Sequence, residues 1–277
     1  MNPDSETRLF GLIGHPAAHS LGPAMHNAAF RALNLNAVYL AFDTRDPAGC
    51  LAGMRAMGIQ GLSVTMPHKS AILPLLDRVD SAAARIGAVN TVVNDGGRLV
   101  GLNTDAPGLL EAIREQVEPQ GRGALVAGAG GVARAAAVAL TEAGARVTIT
   151  NRTARRGKAL ARELGCAFVP RSEARLHEAD ILVQATSVGM EGGPPGLPLP
   201  LEALRRGTVV VETVYRPVRT PFLREARKRG CPIIEGREMF VRQGARQLRL
   251  WTGMEPPLDV MRKAVEARIE EKERCFP

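Results

Sequence analysis

Aromatic residues are scarce in this chain of 277, at 4% with one Trp and two Tyr, which argues against a ring-stacking surface for single-stranded nucleic acid. Cysteine is scarce as well. Cys50, Cys166, Cys231 and Cys275 stand 116, 65 and 44 residues apart. Those spacings suit neither a metal site nor a redox pair, so reduced thiols are expected. No run approaches the roughly 20 apolar residues of a membrane span, and residues 1–8 are polar and acidic rather than a charged-then-apolar leader. A soluble, cytoplasmic protein is expected. Lysine is nearly missing: there are five against 31 arginines, and Lys69 is the only one among the first 157 residues.

What is present is ordinary globular usage, 45% hydrophobic and 23% charged with 29 Gly and 19 Pro. That excludes disordered, collagen-like and coiled-coil chains. The length suits one large domain or two medium ones. The net charge of +8 is uneven, because residues 1–103 hold 8 basic and 7 acidic side chains and the remainder 28 and 21. The basic residues are scattered among acids, and no recognition-helix motif accompanies them. A basic second half then suits an anionic cofactor or substrate, and no nucleic-acid partner is expected.

Apolar runs alternate with helical periodicity along the whole chain. Residues 8–13, 37–42 and 61–65 are strand-like, with helical patterns over 23–33 and 47–57. Such alternation predicts βαβ units and a parallel sheet. Residues 88–93 and 98–102, joined across Asn94-Asp95-Gly96-Gly97, read as a hairpin. A second strand series follows at 123–127, 147–150, 181–184 and 209–212, with a helix over 105–117 leading into it. The Gly- and Pro-rich stretch 191–200 is a loop, and 236–274 is helical without a strand. The fold class is α/β with two lobes, the second of Rossmann type.

Three local signals carry chemistry. Gly128-Ala129-Gly130-Gly131 ends an apolar strand and opens an Ala-rich helix. Glycines there permit a tight turn and bring backbone N–H groups to a pyrophosphate at the helix N-terminus. The alternative is a tight turn without a ligand. At the tip of the returning strand, where an NAD site usually carries an acid, stand Asn151, Arg152 and Thr153, then Arg155 and Arg156. Guanidinium groups there suit the 2′-phosphate of NADP. The third signal is Lys69 in SVTMPHK (63–69). In a chain that prefers arginine, a lone lysine points to proton exchange, which guanidinium cannot perform. Asp105 in GLNTDAPG (101–108) places a carboxylate ahead of a helix, where taken singly it is better explained as an N-cap.

These segments resemble the shikimate dehydrogenase family over essentially the full length. The resemblance rests on GLIGHPAAHSLGPAMHNAAF (11–30), SVTMPHK, GAVNT (87–91), GLNTDAPG, GAGGVAR (128–134), NRT (151–153), QATSVGM (184–190), VYRPVRTPFL (214–223) and EGREMFVRQGA (235–245). It implies NADPH-dependent reduction of 3-dehydroshikimate to shikimate, with Lys69 transferring the proton and Asp105 its hydrogen-bonded partner. It implies substrate contacts at Ser20, Gly22, Thr65, Asn90, Tyr215 and Gln243, with Ser20 and Tyr215 on the carboxylate and Asn90 and Gln243 on ring hydroxyls. The cofactor contacts it implies are Gly128, Ala129, Gly130, Gly131, Asn151, Arg152, Thr153, Arg156 and Gly236. No metal is implied, and His15, His19 and His26, at offsets of 4 and 7, read as structural. The implied domains are 1–103 for substrate, 104–236 for NADP, and 237–277 as helices returning to the first lobe, with substrate between the lobes. A monomer or homodimer is expected.

The chain departs from the family pattern at Gly22, where a second serine is usual, at Ser63, where Asn is usual, and at Glu212, where Asp is usual. A glycine at 22 removes a donor and leaves room beside the carboxylate-bearing carbon, which would suit quinate; the favoured alternative is that it only adjusts the turn before Pro23, with Ser20 and Tyr215 sufficient for shikimate. A quinate/shikimate dehydrogenase and a non-catalytic dehydrogenase-like regulator are the alternatives. A regulator would be free to lose Lys69 and Asp105, and both are present.

Overall fold

The computed structural model describes residues 3–275, apart from the side chains of Glu273 and Cys275. It forms two compact units, one built from the chain up to Thr104 and from Val241 onward, the other from Asp105–Phe240. The divisions fall one residue beyond 103 and four beyond 236, the second inside a helix.

The first unit runs β1 (Arg8–Gly14), α1 (Gly22–Ala32), β2 (Ala37–Asp43), α2 (Pro47–Ala56), β3 (Gly61–Val64), β4 (Arg78–Val79), α3 (Ser81–Ile86), β5 (Thr91–Asp95) and β6 (Arg98–Leu102). Its sheet has the order β2-β1-β3-β5-β6-β4. β1 pairs in parallel with β2 and β3, whereas β5 lies antiparallel to both β3 and β6. Helix starts follow capping chemistry. Asp46 accepts from Gly49 N at 2.9 Å ahead of Pro47, and Asp80 accepts from Ala82 N at 2.9 Å. The hairpin forms, but its first strand begins at Thr91 rather than at 88. Residue 89 bonds elsewhere, Val89 N donating to Lys69 O at 2.7 Å. Ile13, Leu62, Val64 and Val92 from the sheet pack with Leu51 and Met54 of α2 to form the core.

The second unit runs α4 (Asp105–Arg114), β7 (Gly123–Ala127), α5 (Gly131–Glu142), β8 (Arg146–Thr150), α6 (Ala154–Leu164), β9 (Ala167–Phe168), β10 (Ile181–Gln184), β11 (Val209–Glu212), α7 (Pro221–Lys228) and β12 (Ile233–Ile234). All six strands are parallel, in the order β12-β11-β10-β7-β8-β9. The order reverses between β7 and β10, the place where open α/β sheets bind dinucleotides. Alternate residues of each strand serve opposite faces. Val126, Val183 and Val211 pack with Leu109, Ile113 and Leu140, while Leu125, Leu182 and Val210 pack with Phe222 and Leu223. Helices on both faces explain why these strands read as unbroken apolar runs. The expected helix over 105–117 ends earlier, at Arg114, and Val117 N closes a turn onto Ile113 O.

Two helices, α8 (Gly236–Thr252) and α9 (Leu258–Cys275), complete the chain, with no strand among them. α8 starts in the second unit and enters the first at Val241. Within the first unit α9 packs against α1, and α8 docks through Trp251, whose Nε1 donates to Val92 O at 3.1 Å. That docking needs glycine at 61, because a Cβ there would stand 2.3 Å from Trp251 Nε1. Among the described residues no helix is long and apolar enough to cross a membrane. Cys50, Cys166 and Cys231 carry free thiols, and the Cys275 side chain lies outside the described residues.

Candidate active site

The residues singled out in the sequence divide between the units. Ser20, Gly22, Thr65, Lys69, Asn90 and Gln243 belong to the first; Asp105, the glycine loop, residues 151–156, Tyr215 and Gly236 belong to the second.

In the first unit Thr65 and Lys69 follow β3 directly, and both are half-buried. Backbone bonds stitch this loop to the residues before β5: Val64 N donates to Asn90 O at 2.8 Å, and Val89 N to Lys69 O. Asn90 is buried and its amide is heavily used. Its Oδ1 accepts from Thr104 N at 2.7 Å and from Thr91 Oγ at 2.8 Å, and its Nδ2 donates to Thr104 Oγ at 2.9 Å and Gln243 Oε1 at 3.2 Å. Two predicted substrate contacts 153 positions apart therefore touch. Gln247, one helical turn beyond Gln243, extends the network. Its Nε2 donates to Asn90 O at 3.0 Å, and its Oε1 accepts from Ser63 Oγ at 2.8 Å. Ser63 in turn accepts from the Tyr39 hydroxyl at 2.7 Å. Nothing in the motifs announced Tyr39 or Gln247; the only signal was the i, i+4 spacing of the two glutamines.

Ser20 lies just ahead of α1, and its Oγ accepts from Gly22 N at 3.1 Å. Its own O–H has no acceptor among the described residues. The three histidines have separate surroundings. His15 Nδ1 meets Asp43 at 2.6 Å, whereas His26 is buried, stacked on Tyr39 with ring centroids 4.5 Å apart. Burial pushes His26 down to about 3, so it stays neutral. Among the described residues no group of His, Cys, Asp and Glu side chains gathers as a metal requires.

In the second unit the glycine loop joins β7 to α5 at the reversal of the sheet. Gly128 holds φ +135, and a Cβ there would stand 2.5 Å from Ala185 O, so only glycine makes this turn. Gly130 caps α5 without any side chain, leaving the first-turn N–H groups of the helix for an anion. Asn151 folds back, Nδ2 donating to Thr153 O at 3.0 Å, and Arg152, Thr153 and Arg156 are exposed at the tip of β8. An open cavity of about 610 Å³ lies beside Asn151 and Arg152. Buried Asp105 stands in the first turn of α4, and Gly236 opens α8. Tyr215 is half-buried against Phe240 at 4.7 Å, and desolvation pushes its phenol up. Gln184, fully buried at the end of β10, shapes the following loop, Nε2 donating to Thr186 O and Val188 O.

Family models match three stretches. They are the shikimate dehydrogenase substrate binding domain over residues 12–92, shikimate / quinate 5-dehydrogenase over 111–190, and the shikimate 5′-dehydrogenase C-terminal domain over 236–266. A shikimate dehydrogenase (NADP(+)) of Thermococcus kodakarensis is 46% identical, with 97% of this chain and 99% of that protein covered. The chain belongs to the shikimate dehydrogenase family. A second relative of the same description, from Moorella thermoacetica, is 46% identical across 93% of this chain and 92% of its own. The Thermus thermophilus shikimate 5-dehydrogenase, solved in complex with NADP(H) and shikimate, is 46% identical with a TM-score of 0.87, covering 94% of this chain and 99% of that one.

The departures from the family pattern now have surroundings. At Gly22 a side chain would fit tightly. A Cβ there would meet Tyr39 Cε1 at 3.1 Å, and Tyr39 Oη and Ser20 Oγ at 3.2 Å. The Tyr39 ring lies against Gly22, so a side chain at 22 would need that ring to shift slightly, and the Tyr39 hydroxyl donates a hydrogen bond to Ser63, which stands in place of the usual Asn. Glu212, at the end of β11, accepts from Thr213 N at 2.8 Å, Val214 N at 2.9 Å and the Thr220 hydroxyl at 2.8 Å. Burial outweighs these bonds and pushes its carboxyl up to about 7 from 4.5. Between those values the unfolded chain releases a proton that the folded chain keeps. Glu212 therefore contributes most below pH 4.5, and about 3 kcal/mol is lost as pH rises through 7. Chemical denaturation from pH 4.5 to 8 is expected to show that decline, and Glu212→Gln to remove it. Identical pH profiles for the two proteins would rule out the shifted carboxyl.

Proposed function

We propose that this chain catalyses the reversible reduction of 3-dehydroshikimate to shikimate with NADPH. The observation that carries the reading is the convergence on Asn90. Its neighbour Val89 holds the Lys69 backbone, and its amide holds Gln243. The Lys69 backbone and the two amides assigned to ring hydroxyls are thus tied to adjoining residues, 89 and 90, in the unit whose 12–92 stretch matches the substrate-binding model, which supports this reading.

The second unit fits a dinucleotide on its own observations: a glycine turn that admits no Cβ, a helix N-terminus without a side-chain cap, and an exposed strand tip bearing Arg152. When bound, NADPH supplies the hydride. The glycine loop N–H groups hold the pyrophosphate, and Arg152 with Asn151 and Thr153 holds the 2′-phosphate. Ser20 binds the substrate carboxylate through its hydroxyl, and Tyr215 is carried over from the family pattern as a further substrate residue. Asn90 and Gln243 orient the ring, and Thr65 is a further substrate contact. Lys69 Nζ donates a proton to the carbonyl oxygen as it becomes a hydroxyl and takes it back in oxidation. Asp105 is assigned to the same proton transfer by the family pattern.

Initial rates with shikimate and quinate, each with NADP and NAD, test the reading. Shikimate with NADP is expected to give the largest kcat/KM. With the Tyr39 ring against Gly22, quinate is expected to be oxidised at least tenfold less efficiently. Equal rates for the two acids would move the chain to the quinate/shikimate reading. No turnover with any pair would point to a regulator.

A further inference from the structure

The cavity at the tip of β8 extends beyond the residues that the sequence motifs mark. Asn151 and Arg152 form one side; Arg171 and Ser172, in the short turn after β9, and Leu197 and Leu199, in the long loop after β10, complete it. Neither Arg171 nor Ser172 belongs to any of the motifs of the sequence. Arg171 is nonetheless held in place, its Nη2 donating to Leu197 O at 2.9 Å. A guanidinium carries five N–H donors, so four remain after that bond. The lining of the cavity contains two arginines and no acid, and neither guanidinium forms an ion pair with a described residue. A wall of Leu and Pro beside two unpaired cations, an amide and a hydroxyl is the chemistry of an adenosine that carries a phosphate on its ribose.

We propose that Arg171 and Ser172 form a second wall of the 2′-phosphate subsite, Arg171 giving charge-assisted hydrogen bonds to the same phosphate as Arg152 and Ser172 a hydroxyl donor. The inference rests on the NADP reading above and extends it to specificity: the choice of NADP over NAD is shared between the β8 tip and the turn after β9. The bond to Leu197 O pre-orients the guanidinium, so little side-chain freedom is lost when the phosphate arrives.

Calorimetric titration of the full chain with adenosine 2′,5′-bisphosphate and with 5′-AMP separates this reading from its rivals. For Arg171→Ala the bisphosphate is expected to bind about ten- to a hundredfold more weakly, with 5′-AMP unchanged. Arg152→Ala is expected to behave alike, and Arg171→Lys to recover part of the loss. Ser172→Ala is expected to cost a smaller factor, about three- to tenfold, again for the bisphosphate alone. Equal weakening of both nucleotides by Arg171→Ala, with a lowered Tm, would make Arg171 a brace for the 197–200 loop and overturn the proposal. So would a variant that binds both as the unmodified protein does. If Arg152→Ala loses the preference and Arg171→Ala keeps it, NADP recognition stands and only this extension falls. If the unmodified protein binds the bisphosphate no better than 5′-AMP, the NADP reading itself falls and takes the extension with it.

Discussion

Replacing Lys69 with alanine is expected to lower kcat about 100- to 10,000-fold, the range typical of a lost general acid–base group, with NADP affinity unchanged. The lysine follows β3 in the first unit, far in sequence from the glycine loop proposed to hold phosphate, so on this reading binding and chemistry separate in the variant. Lys69→Arg is the sharper control. It keeps the positive charge and much of the length, yet a guanidinium does not release a proton at working pH. Its turnover is expected to match that of the alanine variant. A Lys69→Arg enzyme with more than a tenth of the original kcat would show that the residue serves as a fixed charge. Less than a tenfold loss in Lys69→Ala would remove it from the chemistry altogether.

The second large effect is expected at Asp105. Two roles compete there, because a buried carboxylate in the first turn of α4 is also what a helix N-terminus favours. Asp105→Asn distinguishes them. Asparagine caps helices about as well as aspartate and keeps the shape of the side chain, so a capping role predicts a loss of no more than about 1 kcal/mol of stability and near-normal turnover. An Asp105 that takes part in proton transfer and binds a substrate hydroxyl predicts a fall in kcat/KM of about a hundredfold or more, with Tm little changed. We expect the second result. Turnover within threefold of the unmodified enzyme would return Asp105 to the helix alone.

How much was legible beforehand varies by residue, and the reason is physical. β10 and β11 have the limits that their runs indicate, Ile181–Gln184 and Val209–Glu212, because both faces of that sheet are covered, so three apolar residues follow one another before each strand closes on a buried polar residue. The two-residue strands β4, β9 and β12 have no period to detect. The start of β5 was misplaced because residues 88–90 look like strand, yet Val89 is committed to the Lys69 loop.

The sequence by itself determined the α/β class, the family, the glycine turn at Gly128 and the proton-transfer candidate Lys69. Each of these depends on residue types within a few positions: a glycine where no Cβ fits, a lone amine among guanidinium groups, arginines where an acid would repel a phosphate. Tertiary structure alone decided the rest. Gln243 and Gln247 reach Asn90 and Ser63 across 153 and 184 positions. The Tyr39 ring lies against Gly22, and Arg171 turns toward a cavity shared with Arg152. A hydrogen bond needs its two atoms within about 3 Å, and for groups so distant along the chain only the packing of strands and helices sets that distance.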